Sequence, residues 1–424
     1  MFGAKFVTRS STPKTELTGL LADTWWFGLS QRVSESAFLE LAHLRVRQGF
    51  LAVQLVVGIP PEVGPQNPNA ASSVGPAWTL QGEINQPYLR LAAQRVALLN
   101  DLGLRVIVYG AWGHQIKWLG REKMVNWWRA LVSHLDSLDV IYCLSGESNL
   151  WIGQENSLLP DRSTDDLWQT RTTRQPWIRR NSLARIIMRR LRDLRKKPDA
   201  HLQQQRRHDW SYVLDALAAM TDKPLIVHPN SGETGFQAVE NPQCLSANTT
   251  QTGHSKAARN SLWQLPLEEL NRQQQLFINL EPWYEGINDN FYAQDQLYAY
   301  WVTMLAGAAS FCYGAHGIWN AGDGRFLSHW GKQTMAQAMA LDTPRLLGLS
   351  HRQFLRHKDL DRTSYEVRGE RLLFISRSGF GGRITFYPDI AHSEEQSSGR
   401  IWLPLQGNFA DELPNSGPAV IFDP

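Results

Sequence analysis

Three cysteines in 424 residues are too few, and odd in number, for a disulfide framework. Cys143, Cys244 and Cys312 each fall inside an apolar run, which reads as reduced packing rather than a metal cluster. No apolar run is long enough to span a bilayer. The N-terminal Met1-Phe2-Gly3-Ala4-Lys5 lacks an apolar signal core and a cleavage site, so a cytoplasmic protein is expected, or a periplasmic or secreted one if a leader has been removed. No HxH or HExxH spacing occurs, which disfavours a metal-dependent hydrolase. No Gly-rich phosphate loop follows the first predicted strand, which argues against a doubly wound dinucleotide-binding sheet. Internal repeats and low-complexity tracts are also missing. No cofactor is expected.

Tryptophan, in contrast, is abundant. Seventeen indoles are core filler or flat faces for stacking against sugar rings, and composition alone does not separate the two. Hydrophobic content of 42% is ample for a large core. The net charge of +3 is unevenly spread. Between Arg171 and Arg207 there are thirteen Lys or Arg against two Asp, so a basic segment is set into an acidic body. Leu183, Ile187, Leu191 and Leu194 recur there at helical spacing among arginines, and Pro198 ends the run. This predicts an amphipathic basic helix: a solvated insertion, a lid for an anionic glycan, or a peripheral contact with anionic lipid. Nucleic-acid binding is not expected, because the rest of the chain is acidic and no known module appears.

Apolar runs alternate with helical patterns for most of the length. Eight strands are predicted, at Leu20–Asp23, Phe50–Leu55, Val106–Gly110, Val140–Leu144, Leu225–His228, Cys244–Ala247, Leu276–Leu280 and Ala309–Tyr313. Helices are predicted between most of them, at Ser36–Arg47, Pro87–Leu102, Arg121–Ser137, Trp210–Met220, Pro266–Gln275 and Phe291–Ala306. Such a series is the pattern of an α/β fold, a (β/α)8 TIM barrel. A doubly wound open sheet is the alternative. The barrel is expected over residues 1–350, with the basic insertion at about 160–208. After about Gly348, short runs separated by Gly, Asp, Ser and Pro predict a small β-sandwich-like antiparallel domain over 351–424.

Barrel chemistry sits at the carboxyl ends of the strands. The polar and aromatic residues there are Asp23, Trp25 and Trp26, then Trp112 and His114, Glu147 and Asn149, and His228. Gln251 and His254 follow, then Glu281, Tyr284 and Glu285, and finally Tyr313, His316 and Trp319. Acids after the fourth and seventh strands would face each other across the mouth. Glycoside hydrolysis needs two such carboxyls, one protonated and one ionised. Glu147 is the expected general acid/base and Glu281 the expected nucleophile, with Glu285 as the rival. The bland alternative is a Glu147 that caps a turn and a Glu281 that pairs with an arginine. Asp23 binds a substrate hydroxyl, orients a catalytic group, or caps the Trp25-Trp26 amides. The four His hydrogen-bond sugar hydroxyls or serve the structure.

An ordered set of motifs carries a resemblance. It comprises Ala22-Asp23-Thr24-Trp25, Gly146-Glu147, His228-Pro229-Asn230-Ser231-Gly232 and Gln251-Thr252-Gly253-His254. Asn279-Leu280-Glu281-Pro282-Trp283-Tyr284-Glu285 and Tyr313-Gly314-Ala315-His316-Gly317-Ile318-Trp319 complete it. Over about residues 15 to 350 the chain resembles the apiosidase-like glycoside hydrolases, the barrel group that includes glycoside hydrolase family 140. That resemblance implies a retaining barrel hydrolase acting on an unusual sugar, furanosides included, with its catalytic pair at Glu147 and Glu281. The acid position is often Asp in such proteins, whereas here it is Glu147. Expected partners are a carbohydrate, anionic if the basic helix touches it. A transglycosidase would use the same residues, and a non-catalytic carbohydrate-binding barrel is the alternative function.

Overall fold

The computed structural model describes residues 14–150, 200–273, 275–357, 365–368, 373–377, 382–390 and 399–423. The basic helix predicted around Leu183 to Leu194 lies outside them. Eight strands form one parallel sheet in the order β5-β4-β3-β2-β1-β8-β7-β6. They are β1 (Leu21–Trp25), β2 (Ala52–Val56), β3 (Arg105–Tyr109), β4 (Val140–Cys143), β5 (Leu225–Ile226), β6 (Asn248–Gln251), β7 (Phe277–Glu281) and β8 (Ser310–Tyr313). Between β5 and β6 the ring closes through single contacts instead of a ladder. The Ser246 amide donates to the Leu225 carbonyl at 2.7 Å, and the Thr249 hydroxyl donates to the Val227 carbonyl. The fold is a (β/α)8 barrel. Its strands are buried almost throughout, as parallel strands covered on both faces must be.

The helices are α1 (Glu35–Gln48), α2 (Gln86–Asp101), α3 (Gln115–Leu119), α4 (Arg121–Leu135), α5 (Ala200–Ala218), α6 (Ser261–Gln273), α7 (Ala293–Leu305), α8 (Met335–Met339) and α9 (Thr343–Leu355). α1 shows why these segments are helical. The Ser34 hydroxyl accepts from the Ala37 amide at its start, and Gly49 ends it in the left-handed conformation. Phe38, Leu41, Ala42 and Arg45 fall on one stripe and are buried against the barrel. None of the helices among the described residues is long and apolar enough to cross a membrane.

The sixth strand differs from its prediction. The apolar run Cys244–Ala247 is not the strand: Pro242–Cys244 is a short 3-10 turn, and β6 is the polar sequence Asn248-Thr-Thr-Gln251. Hydrogen bonds replace apolar packing there, with Asn248 donating to Glu269 at 2.7 Å. α5 already includes Ala200, ten residues before the predicted start.

The C-terminal region is a six-stranded antiparallel sheet, in the order β13-β12-β14-β11-β10-β9. Its strands are β9 (Tyr365–Arg368), β10 (Leu373–Arg377), β11 (Arg383–Tyr387), β12 (Arg400–Leu403), β13 (Asn408–Ala410) and β14 (Ala419–Asp423). The described strands make one sheet, and helices of the barrel cover one of its faces. Trp301 of α7 stacks on Phe386 at 6.5 Å and meets Phe422 edge-on at 6.3 Å. The Trp402 indole donates to Ser350 of α9.

Candidate active site

Two glycines set the rings of the mouth. Beyond β3 and β4 the chains stay paired through Trp112 and Gly146, with the Gly113 amide donating to the Gly146 carbonyl at 2.7 Å. A Cβ at Gly146 would lie inside the Trp112 indole, so only glycine lets that ring cross the strand end. Gly314 plays the same part under the Tyr284 ring. The next residue after Gly146 is Glu147, held at a φ of 42°. A non-glycine residue pays about 1–3 kcal/mol for that conformation, and such strain gathers at functional sites.

The Glu147 carboxyl is held on both oxygens. The Trp112 indole N–H donates to Oε2 at 2.9 Å and the Asn230 amide to Oε1 at 3.1 Å. Asn149 sits one step back: its Oδ1 accepts from the Asn230 backbone amide at 2.5 Å and so ties the β4 loop to the β5 loop. Burial pushes the Glu147 carboxyl up to about 7, and the Glu281 charge adds to this. The Trp112 hydrogen bond pulls the other way without winning.

Glu281 ends β7 on the inner side of the mouth. Its Oε1 accepts from Gln251 Nε2 at 2.8 Å and from His254 Nε2 at 2.9 Å. Its Oε2 lies 3.5 Å from His228 Nε2. Burial pushes this carboxyl up as well. The hydrogen bond and field of His254, the field of His228 and the nearby Tyr284 outweigh burial and hold Glu281 below the usual carboxylate range. Burial lowers His228 to about 4, which leaves it a neutral imidazole near pH 7.

Aromatic rings floor the site. Trp26 meets Tyr109 at 4.7 Å and Trp112 at 5.4 Å, and it lies over His228 at 6.3 Å. Beneath them Gln54 of β2 accepts from the Tyr109 hydroxyl at 2.5 Å and donates to Thr24 at 2.8 Å and to the Leu280 carbonyl at 3.0 Å. The opposite wall is His254, Tyr284 and Trp319, with ring separations of 4.6 Å and 6.4 Å. The structure therefore gathers Glu147, Glu281, Trp112, Asn149, His228, Gln251, His254, Tyr284 and Trp319. Sequence reasoning missed Gln54 and Tyr109, which sit inside strands that read as apolar. Asn230 belonged to a recognised motif but carried no role.

Four of the predicted residues point elsewhere. Residues two apart on a strand share a face, and Asp23 and Trp25 share the outer one. The Asp23 carboxylate accepts from Trp25 Nε1 and from Arg45 Nε of α1, each at 2.6 Å, with both charged side chains fully buried. Tyr313 lies opposite Asp23 in register and faces the same way, donating to Glu285 at 2.5 Å. Thr343 of α9 donates to the other Glu285 oxygen at 2.7 Å. Asp23, Trp25, Tyr313 and Glu285 thus form a polar cluster behind the sheet, and Glu285, 1% exposed, is turned away from the mouth. Two more sit apart. His114 packs on Trp118 at 4.7 Å, and burial, with Arg206 nearby, lowers it to about 3. His316 lies behind the wall, against Gly331 and edge-on to Trp319 at 5.7 Å, and burial lowers it to about 4. Among the described residues no three His, Cys, Asp or Glu side chains are placed to share a metal ion.

The hidden cluster makes two tests. Asp23→Ala leaves Arg45 buried without its partner and is expected to cost about 3–5 kcal/mol, read by denaturant unfolding. Glu285→Gln is expected to cost about 1 kcal/mol and to keep kcat within about tenfold, because a hydroxyl can turn to accept from the new amide. A folded Glu285→Gln protein without activity would restore Glu285 as the rival nucleophile.

The geometry has counterparts. The family described as "Apiosidase-like, catalytic domain" matches residues 17–343. This chain belongs to the apiosidase-like family. It is a glycosidase, and carbohydrate is its substrate class. This apiosidase-like protein shares its fold with a solved structure described as "Glycoside hydrolase". Identity to it is 13%, the TM-score is 0.69, and the match covers 95% of this chain and 92% of that one. It is also similar to a glycoside hydrolase family 5 structure from Bacteroides vulgatus ATCC 8482, with 12% identity and a TM-score of 0.67. That match covers 95% of this chain and 88% of the other. At such identities the likeness carries the fold alone. No curated protein matches the sequence.

Proposed function

We propose that this apiosidase-like protein is a retaining glycosidase in which Glu281 attacks the anomeric carbon and Glu147 serves as general acid and then base. One observation carries the reading: two neighbouring carboxyls are driven to opposite protonation states. Glu147 is pushed up to about 7, and Glu281 is held below the usual carboxylate range. A protonated acid beside an ionised carboxylate is the starting state of glycosidic cleavage. The Glu281 charge raises Glu147, as two carboxyls that share one mouth must do.

The first half-reaction joins Glu281 to the sugar while Glu147 protonates the departing oxygen. In the second, Glu147 takes a proton from water, and that water releases the sugar. A transglycosidase would admit an acceptor hydroxyl in place of water. The substrate we propose is an unusual sugar, furanosides included, on a bacterial or plant glycan. The excess of Lys and Arg between Arg171 and Arg207 favours a glycan that carries negative charge.

Proton NMR of the first-formed product from aryl furanosides and pyranosides tests the mechanism. Retention of anomeric configuration is expected. Inversion would replace the covalent route by direct attack of water. Binding of glycans without turnover of any of them would favour the non-catalytic alternative.

A further inference from the structure

We infer that Oε2 of Glu281 is the attacking atom, and that His254 and Gln251 are positioning residues that reserve it by occupying Oε1. This inference rests on the two-carboxylate reading above and adds to it the identity of the reacting oxygen.

The two oxygens of Glu281 differ sharply. Oε1 receives two N–H donors, Gln251 Nε2 at 2.8 Å and His254 Nε2 at 2.9 Å. Oε2 has no N–H donor nearer than His228 Nε2 at 3.5 Å, beyond good hydrogen-bond distance, and the Tyr284 hydroxyl also lies close to the carboxylate. The lone pairs free for a new bond are therefore on Oε2. The donor roles are fixed by the surroundings. The Tyr284 backbone amide points at His254 Nδ1 at 3.3 Å, so Nδ1 accepts and the proton sits on Nε2. The His254 ring cannot turn freely, because the Tyr284 ring lies 4.6 Å from it. Gln251 must present its NH2 to Oε1, since its own oxygen there would face a carboxylate. Strand register assists: β6 shifts between Thr250 and Gln251, which brings Gln251 level with Glu281.

The chemistry follows from this asymmetry. A lone pair on Oε2 forms the bond to the anomeric carbon as the bond to the leaving oxygen breaks. That oxygen takes its electron pair and the Glu147 proton. Oε1 becomes the carbonyl oxygen of the glycosyl ester and keeps both donors. In the second step water attacks, Glu147 accepts its proton, and the ester bond returns its electron pair to Oε2. Before attack, the two N–H groups stabilise the ionised carboxylate without blocking its reactive oxygen.

The test compares wild type, His254→Ala and His254→Gln. The readouts are the rate of covalent labelling by activated fluoro-glycosides and the pH dependence of kcat/KM. The titratable groups facing Glu281 are His228, His254, Tyr284, Tyr109 and Glu147. His228 is retained in all three proteins, so a change in the acid limb on removing His254 reports Glu281. His254→Ala is expected to label about 10²–10³-fold more slowly, with little change in KM and an acid limb moved upward. His254→Gln, which returns an N–H, is expected to recover part of the rate. An unchanged labelling rate and acid limb in His254→Ala, with wild type labelled at Glu281, would sink the inference and leave the mechanism standing. No label at Glu281 in wild type would remove the mechanism itself. Nitrogen-15 NMR of the wild-type imidazoles needs no variant to fold: a proton on Nε2 of His254 is expected, and a proton on Nδ1 would overturn the assignment.

Discussion

Glu281→Gln is expected to lower kcat by on the order of 10⁴-fold while the protein still unfolds cooperatively. The substitution keeps the shape and one carbonyl oxygen but removes the charge and the nucleophilic lone pair. Its surroundings then misfit. Gln251 and His254 both present N–H groups at Oε1, 2.8 and 2.9 Å away, and an amide nitrogen placed there would face two donors. The new side chain is therefore expected to put its oxygen at the Oε1 position and its NH2 at the attacking position. Binding should survive, because the rings of Trp26, Trp112 and Tyr284 are untouched. A loss confined to kcat, with KM near the wild-type value, is the expected signature. A Glu281→Gln protein that keeps a tenth or more of wild-type activity would remove Glu281 from the chemistry.

Glu147→Gln is expected to show a loss that depends on the leaving group. With a poor leaving group, such as an alkyl alcohol or another sugar, kcat/KM should fall about 10²–10⁴-fold, the usual worth of general acid catalysis. With a dinitrophenolate leaving group, which departs without a proton, the first step should be almost unaffected. The wild-type pH profile should be bell-shaped. Its alkaline limb should lie near 7, where Glu147 loses its proton. Its acid limb should lie below the usual carboxylate range, where Glu281 gains one. The alkaline limb should vanish in Glu147→Gln with the dinitrophenyl substrate. Stability gives a separate check. The folded-state pKa of Glu147 is raised, so its contribution is fully present below about 4.5 and is lost as pH rises through about 7. Glu147→Gln should therefore raise Tm more at pH 8 than at pH 5.

Much of this was readable before the structure, for physical reasons. Parallel strands buried on both faces must be apolar, so seven of the eight barrel strands stood out as short apolar runs. β6 did not, because its Asn248, Thr249 and Gln251 side chains donate to Glu269, the Val227 carbonyl and Glu281 instead of packing as apolar groups. The strand-like apolar pattern lies instead in the residues just before it, Cys244–Ala247. The candidate pair Glu147 and Glu281 was legible because each ends an apolar run. Orientation was not. Asp23 ends a strand just as Glu281 does, but the parity of its position turns it outward onto Arg45, a partner 22 residues away. Glu285 looked equal to Glu281 at a spacing of four, yet the chain turns between them. One carboxylate meets two imidazoles, and the other meets Tyr313 and Thr343 behind the sheet. Gln54 and Tyr109 left no sequence signal, since a single polar group within a buried strand declares itself only through its partners.

The measurement that bears most directly on the account is peptide mapping after intact-protein mass spectrometry of wild type incubated with activated fluoro-furanosides and fluoro-pyranosides. The account predicts one sugar adduct per chain, located on Glu281 and missing in Glu281→Gln. An adduct on Glu285, or steady turnover with no covalent intermediate on any carboxylate, would contradict it.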